Sequence, residues 1–265
     1  MPQLSCGTRL VTADRKFANT LGRGLSILRV FRAGDDGLTH AAIAERTGLP
    51  KPTVSRLTYT LCALGYLTQH HRNGKFRLGP AAIAMGAVAN MSMPYLKLVD
   101  QDLQELADAT GCLALVAMPV EDKMMIIKTW RPDQGTAIWL EPGHRLPVFG
   151  SSSGQAVLAS MSAATFDALA PDENLRAYRQ DGYDQLLANG FTAAPEAVRF
   201  SETVSTVSVP YYSDPLAGPV GFSCGNTPDR LSTERINAEI GPMLRDIVKS
   251  LESRTGQLPA LTRRD

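Results

Sequence analysis

The residues best suited to chemistry in this 265-residue chain are a run of hydroxyls, Gly150-Ser151-Ser152-Ser153-Gly154. The run satisfies G-x-S-x-G, with Ser152 in the position of a nucleophile ahead of a helix. In α/β-hydrolases the acid and then the histidine follow that serine in chain order, and no histidine occurs after His144. A histidine-first order would have to recruit His144 or a histidine from the N-terminal third. Binding suits these residues better. Three hydroxyls and the free N–H groups of a helix N-terminus make a site for a carboxylate, favoured by the helix dipole. The plain alternative is that Ser152 or Ser153 only caps the helix. His70 and His71 are adjacent and point to opposite faces if extended. No cluster has zinc-ligand spacing, and no glycine-rich loop has the P-loop pattern. Cys6, Cys62, Cys112 and Cys224 are scattered without a CxxC pair and read as reduced structural thiols. The expectation is a protein that is not an enzyme and needs no cofactor or metal.

A second constellation lies nearer the N-terminus. Lys51, Thr53, Ser55, Arg56 and Tyr59 fall on or near the polar side of a helix whose other side carries Val54, Leu57, Leu61 and Leu64. Arg56 can bridge to guanine or phosphate, Thr53 and Ser55 can reach phosphate oxygens or base edges, and Lys51 is placed for phosphate. Arg72 and Lys75 flank an Asn-Gly hairpin tip that could enter a neighbouring groove. Charge agrees. Residues 1–90 hold twelve Lys and Arg against four Asp and Glu, a balance of +8, and the remainder holds fifteen against twenty-two, a balance of −7. A basic first third on an acidic remainder fits a polyanion-binding module carried by a domain that avoids polyanions.

The elements that must position these residues follow from period and turn chemistry. Leu21, Leu25, Leu28 and Phe31 recur at helical spacing, and Gly34-Asp35-Asp36-Gly37 ends that helix. Thr39 caps a short helix, His40 to Thr47, closed at Gly48. A third helix starts near Lys51-Pro52 and stops at Gly65. Tyr66–Gln69 and Lys75–Leu78 read as a hairpin, and Ala81–Met91 as a connecting helix. Beyond it, helices are expected over Pro94–Thr110, Ser153–Met161, Leu175–Asn189 and Thr233–Glu252. Strands are expected over Leu113–Met118, Met124–Trp130, Thr136–Leu140, Phe191–Ala193, Thr203–Val209 and Val220–Ser223. The whole is a two-domain α+β chain: an arm (1–19), a winged helix-turn-helix (20–80), a linker helix (81–93), an α+β domain (94–256) and a frayed tail (257–265). Hydrophobic residues make up 44%, enough for real cores. No apolar run approaches the roughly 20 residues of a membrane span, and Met1–Phe17 lack the apolar block of a secretion signal, so a cytoplasmic protein is expected.

Here the residues carry a resemblance. Thr20–Leu28, Leu38–Leu57, Gly65–Leu67 and Phe76–Gly79 resemble the IclR family of transcription regulators, most closely in Gly48-Leu-Pro-Lys-Pro-Thr-Val-Ser-Arg-Leu57. The match covers residues 20–90 well and continues more loosely to about Gly256. The resemblance implies a DNA-binding regulator, working as a dimer or tetramer on double-stranded, pseudo-palindromic operators. It adds Arg23 to the DNA-contacting set, with Thr39 at the cap. It also implies a GAF-like C-terminal domain, a curved antiparallel sheet with helices, that binds a small organic or aromatic acid. Carried over by position, the effector site falls on Ser152, Ser153, Thr206 and Ser223, with Glu196 as the nearest acidic residue, and Ser151 joins them as the first hydroxyl of the run. The chain departs from the family pattern at Gln155, where Lys is usual, at Gly225, where a second serine is expected, and at Ala194, where an acid is expected. Leu140, Leu146, Val148 and Phe149 offer an apolar wall. Trp130 and Trp139 read as strand-face packing, and Arg199 as a loop residue able to meet a carboxylate. A DNA-binding or assembly adaptor without a ligand is the alternative reading.

Overall fold

The computed structural model describes residues 17–32, 34–70 and 74–263, in two compact units that divide between Met93 and Pro94. The arm before Phe17 and the hairpin residue Arg72 lie outside the described residues.

The first unit is three helices and a hairpin. Helices α1 (Asn19–Arg29), α2 (His40–Thr47) and α3 (Lys51–Ala63) precede strands β1 (Leu67–Gln69) and β2 (Phe76–Leu78). Thr39 caps α2 by accepting from the Ala42 N–H at 3.2 Å. Gly48 ends it in the left-handed region, φ 69°, with its N–H on Ala44 O. That corner lets α3 start at once, with Pro52 in its first turn. Ile27, Leu38, Ile43, Val54, Leu61, Leu67 and Phe76 form the core. The buried stripe of α3 is Val54, Thr58 and Leu61, and Leu64 is 61% exposed, so Thr58 takes the inward place expected of a leucine. Burial of this hydroxyl is made tolerable by hydrogen bonds: it donates to Val54 O at 2.9 Å and meets His40 Nε2 at 3.1 Å. The single Thr58 hydrogen being spent on Val54, His40 Nε2 donates.

Two polar ties close the unit. Arg46 forks onto both oxygens of Asp35 at 2.7 and 3.0 Å and reaches Val30 O at 2.9 Å. This guanidinium holds the Asp35 carboxyl below the usual carboxylate range. Leu38 and Phe76 exchange backbone hydrogen bonds at 2.8 and 2.7 Å, which attaches the hairpin to the segment before α2. Gly79 then passes so near Gly65 that a Cβ would stand 2.3 Å from Gly65 O. Helix α4 (Pro80–Met91) follows, with no buried residue.

The second unit is a five-stranded antiparallel sheet in the order β5-β4-β3-β7-β6, built from β3 (Leu113–Val120), β4 (Lys123–Trp130), β5 (Arg145–Pro147), β6 (Ser205–Ser213) and β7 (Gly218–Asn226). Period-two alternation gives it two apolar faces. Leu113, Leu115, Ala117, Met124 and Ile126 pack beneath α7 (Ser152–Ser160), α8 (Ala163–Asp167) and α9 (Glu173–Asn189). Toward the other face pack α5 (Tyr95–Leu98), α6 (Asp100–Thr110), α10 (Thr233–Arg235) with the π-helical turn Ile236–Ile240, and α11 (Gly241–Thr255). There Tyr95, Tyr211 and Phe222 stack with ring centroids 5.0–6.5 Å apart. Cys112 and Cys224 are fully buried, and burial pushes both thiols up, away from the reactive thiolate.

Four expectations are corrected. Thr136–Leu140 is irregular: Gly135 turns with φ 80°, and the place beside β4 is taken by β5. Phe191–Ala193 contributes one bridge, Thr192 to Ser208, and no strand. The helix from Pro94 breaks at Val99 into α5 and α6. The tail forms a 3-10 turn, Ala260–Arg263, with Ala260 2% exposed, because Ala260 packs inward.

Two glycines separate space from strain. Gly24→Ala in α1, where a Cβ meets nothing within 4 Å, is expected to stabilise by up to about 1 kcal/mol through lower unfolded-state freedom. Gly79→Ala is expected to destabilise by about 1–3 kcal/mol or more, since backbone must move. Thermal unfolding of the two variants checks this, and a Gly79→Ala protein as stable as the parent contradicts the close approach.

Candidate DNA-binding face and effector cavity

On α3, Lys51, Ser55, Arg56 and Tyr59 are exposed and Thr53 is half-buried, while Val54 and Thr58 on the same helix are wholly buried. Ser55, Arg56 and Tyr59 share one side at helical spacing. Tyr59 is 78% exposed, unusual for so large a ring on a monomer surface. Arg23 on α1 is exposed too, and Arg23, Lys51 and Arg56 have no acidic partner among the described residues. The cap residue Thr39 is exposed beside them in sequence order, its oxygen engaged with Ala42. Lys75 differs from the expectation of a free cation at the hairpin: it pairs with Asp36 at 3.1 Å, and Arg77 pairs with the same carboxylate at 2.5 Å. The two acids of the loop before α2 therefore face cations, Asp35 with Arg46 and Asp36 with the hairpin.

The hydroxyl run opens α7, a helix buried along its whole length. Ser151, and neither Ser152 nor Ser153, is the cap: its oxygen accepts from the Gly154 N–H at 3.1 Å and donates to Pro147 O at 2.6 Å. The expected capping role moves by one residue because Ser151 keeps extended backbone while Ser152 is already helical. Ser152 and Ser153 are left as the first two helical residues, with N–H groups that have no protein acceptor among the described residues. Gly154 permits the arrangement, since a Cβ there would stand 2.0 Å from Val148 O.

The Ser152 hydroxyl donates to Thr206 at 2.7 Å and meets Ser208 at 2.7 Å, and Ser208 meets Ser223 at 2.6 Å. Ser208 and Ser223 are cross-strand partners of β6 and β7, and Thr206 faces Gly225 one step along. Each hydroxyl has one hydrogen to give. With Ser152 donating to Thr206, Ser208 donates to Ser152 and Ser223 to Ser208, which leaves the Thr206 hydrogen for a group in the cavity. The Thr192 hydroxyl ties Ser152 O at 3.0 Å, and the buried Tyr178 hydroxyl, its pKa raised by burial, ties Ser151 O at 3.0 Å.

Ser151, Ser152, Ser153, Thr206 and Ser223 line one side of a cavity of about 20 Å³, room for about one water. Leu113, Leu115 and Leu146 are its apolar floor, and Ile138, Leu140, Phe200 and Val204 close it from two irregular segments. Among the described residues no charged side chain lines it. The structure thus brings together Ser151, Ser152, Ser153, Thr206 and Ser223. Glu196 does not join them: after Pro195 the chain turns in a 3-10 helix that leaves Glu196 exposed. Val148, Phe149 and Arg199 are also outside this lining, and Trp139 is 70% exposed, stacked on the Arg131 guanidinium at 4.2 Å instead of packed on a strand. Sequence reasoning missed Ser208, wholly buried, which falls within the expected strand Thr203–Val209. Its signal was the two-residue spacing from Thr206, which puts both on one face. Gln155, wholly buried, donates to Asp181 at 2.7 Å, away from the cavity lining.

A helix-turn-helix followed by a strand pair, ahead of an α+β unit that encloses a hydroxyl-lined cavity, has the architecture of winged-helix regulators. Residues 20–71 match the IclR helix-turn-helix domain. The Pca regulon regulatory protein of Pseudomonas putida is 30% identical over 155 residues, 57% of this chain and 51% of that protein, so the matched stretch spans about half the length of this relative. The crystal structure of an IclR family transcriptional regulator from Brucella abortus is 28% identical and covers 96% of this chain and 98% of its own, with a TM-score of 0.76. An IclR homolog from Microbacterium hydrocarbonoxydans, solved as a complex with 4-hydroxybenzoate, shares the fold at 18% identity over 92% of this chain and 99% of its own, TM-score 0.69. Residues 20–71 carry the IclR helix-turn-helix domain, and the chain as a whole is similar to IclR family transcriptional regulators.

Removing the buried oxygen of Ser208 deprives Ser152 of its donor and Ser223 of its acceptor. Ser208→Ala is expected to cost about 1–3 kcal/mol, against less than about 0.5 kcal/mol for the exposed Ser250→Ala. Guanidinium unfolding of the full chain reads the difference, and equal midpoints would remove the chain of hydroxyls as a structural element.

Proposed function

We propose that this chain is a sequence-specific transcriptional regulator that lays α3 in the major groove of an operator and answers to a small organic acid bound beside α7. The observation that carries the reading is the two-sided α3: one side buried in the unit's core, the other offering Lys51, Ser55, Arg56 and Tyr59 to solvent without an acidic partner among the described residues. A groove about 12 Å wide admits such a helix, with its N-terminal residues at base edges. Arg23, Thr39, Lys75 and Arg72 complete the proposed DNA-contacting set, Lys75 sharing its charge with Asp36. The protein works in the cytoplasm, where its DNA is, and no helix among the described residues is long and apolar enough to cross a membrane.

A palindromic operator calls for two copies. Helix α4 supports a homodimer, or a tetramer built from two such dimers: it has no charged residue, and Ile83, Met85, Val88 and Met91 are 53–71% exposed. Isolated helices of this length are marginal in water and gain stability from a covered apolar side.

The effector reading rests on the unmatched N–H groups of Ser152 and Ser153 and the spare hydrogen of Thr206. All are donors, so they favour the oxygens of a carboxylate or carbonyl. The apolar floor suits a short aliphatic or aromatic body. A ligand of that size displaces the closing segments around Ile138, Leu140, Phe200 and Val204, and that movement is how binding would bias the protein between states. The 4-hydroxybenzoate of the Microbacterium hydrocarbonoxydans homolog makes aromatic acids the first probes.

Binding to an operator selected from genomic fragments is expected to weaken roughly ten-fold to a hundred-fold in Arg56→Ala, corresponding to loss of about 1–3 kcal/mol for a base contact. It should also fall steeply with salt. Fluorescence anisotropy at several salt concentrations measures both, and wild-type affinity in Arg56→Ala would take α3 out of the groove. For the cavity, calorimetry with 4-hydroxybenzoate, benzoate and short 2-oxo acids is expected to give saturable heat that Thr206→Val diminishes. Silence across the panel favours the ligand-free adaptor.

A further inference from the structure

Helix α7 borders a second cavity at its other end. It has a volume of about 250 Å³ and is walled by Met124, Val157, Leu158 and Met161, all buried, with Glu121 and Asp122 of the two-residue turn between β3 and β4 on its solvent side. Protein interiors leave few voids larger than a water, and an apolar cavity of roughly 150 Å³ is enough to take up benzene. This one is apolar, larger, and reachable from solvent past the turn.

We infer that this cavity is a second small-molecule site, for a neutral aromatic or similarly compact apolar molecule. Its chemistry is opposite to that of the hydroxyl-lined cavity. The hydroxyl of Thr165, its uncharged polar group, is already engaged with Ser162 at 2.8 Å. The ionisable groups that line it are two carboxylates, each with a cation that stands outside the lining: Glu121 with Arg145 at 3.7 Å and Asp122 with Lys123 at 3.4 Å. A carboxylate ligand would therefore meet two acids and no cation in the lining, while an uncharged ring loses only water. Two methionines fit the role, because an unbranched thioether reshapes around an irregular guest and makes favourable contacts with aromatic rings. Val157 and Leu158 lie on the same helix as Ser152 and Ser153, so one short buried element touches both sites.

The methionines also supply the test. With methyl-¹³C-methionine in the full-length protein, the Met124 and Met161 signals are assigned from Met124→Leu and Met161→Leu spectra. Benzene is expected to shift both signals saturably and to leave those of the exposed Met85 and Met91 in place, and sodium benzoate to move neither. No methionine lines the hydroxyl-lined cavity, so occupancy there does not imitate this result. The inference is overturned if benzene leaves both signals unmoved up to its solubility, if it moves all four alike, or if benzoate moves them as far as benzene.

Discussion

Helix α7 is buried at every one of its residues, and a wholly buried helix has to find protein partners for backbone groups that water would otherwise meet. The surroundings of α7 in the second unit meet that demand. The Ser151 hydroxyl takes one N–H, and Thr192 and Tyr178 take the carbonyls of Ser152 and Ser151. Gly154 lets the helix press directly on Val148, where any side chain would collide with backbone. What is left over, two amides and a hydroxyl hydrogen, is left over in one place. The proposed effector cavity is thus the residue of a packing problem solved everywhere else along the helix.

The DNA-binding unit meets a different constraint, that a small module must keep one helix side polar without losing its hold on the core. It does so with few residues. Val54, Thr58 and Leu61 anchor α3, and the one polar member of that trio is bound by His40 and its own backbone. Asp35 and Asp36, in the loop before α2, are each occupied by a cation, so they do not compete with phosphate for Lys51 or Arg56. A surface pair of this kind adds less than about 1 kcal/mol to stability. Its larger effect here is on the field, since a neutralised acid leaves the positive side of the unit intact.

Much of this was legible in the residues because it is local. Thr39, Gly48 and Pro52 specify a cap, a left-handed stop and a first turn, and the helices they delimit lie where turn chemistry puts them. The errors fall where partners distant in the chain decide. Thr136–Leu140 alternates like a strand, and Ile138 does point inward while Trp139 points out, yet it pairs with no strand, and the segment beside β4 is β5, at Lys123–Met125. Spacing places Ser208 on the strand face of Thr206 and goes no further. The importance of Ser208 comes from lying opposite Ser223 in the register and beneath Ser152 in the packing, neither of which spacing along one strand reveals. Glu196 was placed by position within a family pattern, and a 3-10 turn after Pro195 carries it to the surface.

The departures from the family pattern acquire physical meaning from the same geometry. At Gln155 a lysine would bring a charge into a wholly buried place, where this chain instead has an amide donating to Asp181. At Gly225 a Cβ would come within 3.3 Å of the Thr206 methyl and 3.9 Å of Ile138, so a serine there narrows the cavity at the residue that offers the free hydrogen. Glycine at 225 keeps that hydrogen approachable, and the absence of any charged side chain from the lining leaves selection to directed N–H and O–H groups. Such a site discriminates by where oxygens sit more than by total charge, because each misplaced oxygen leaves a buried donor unmet.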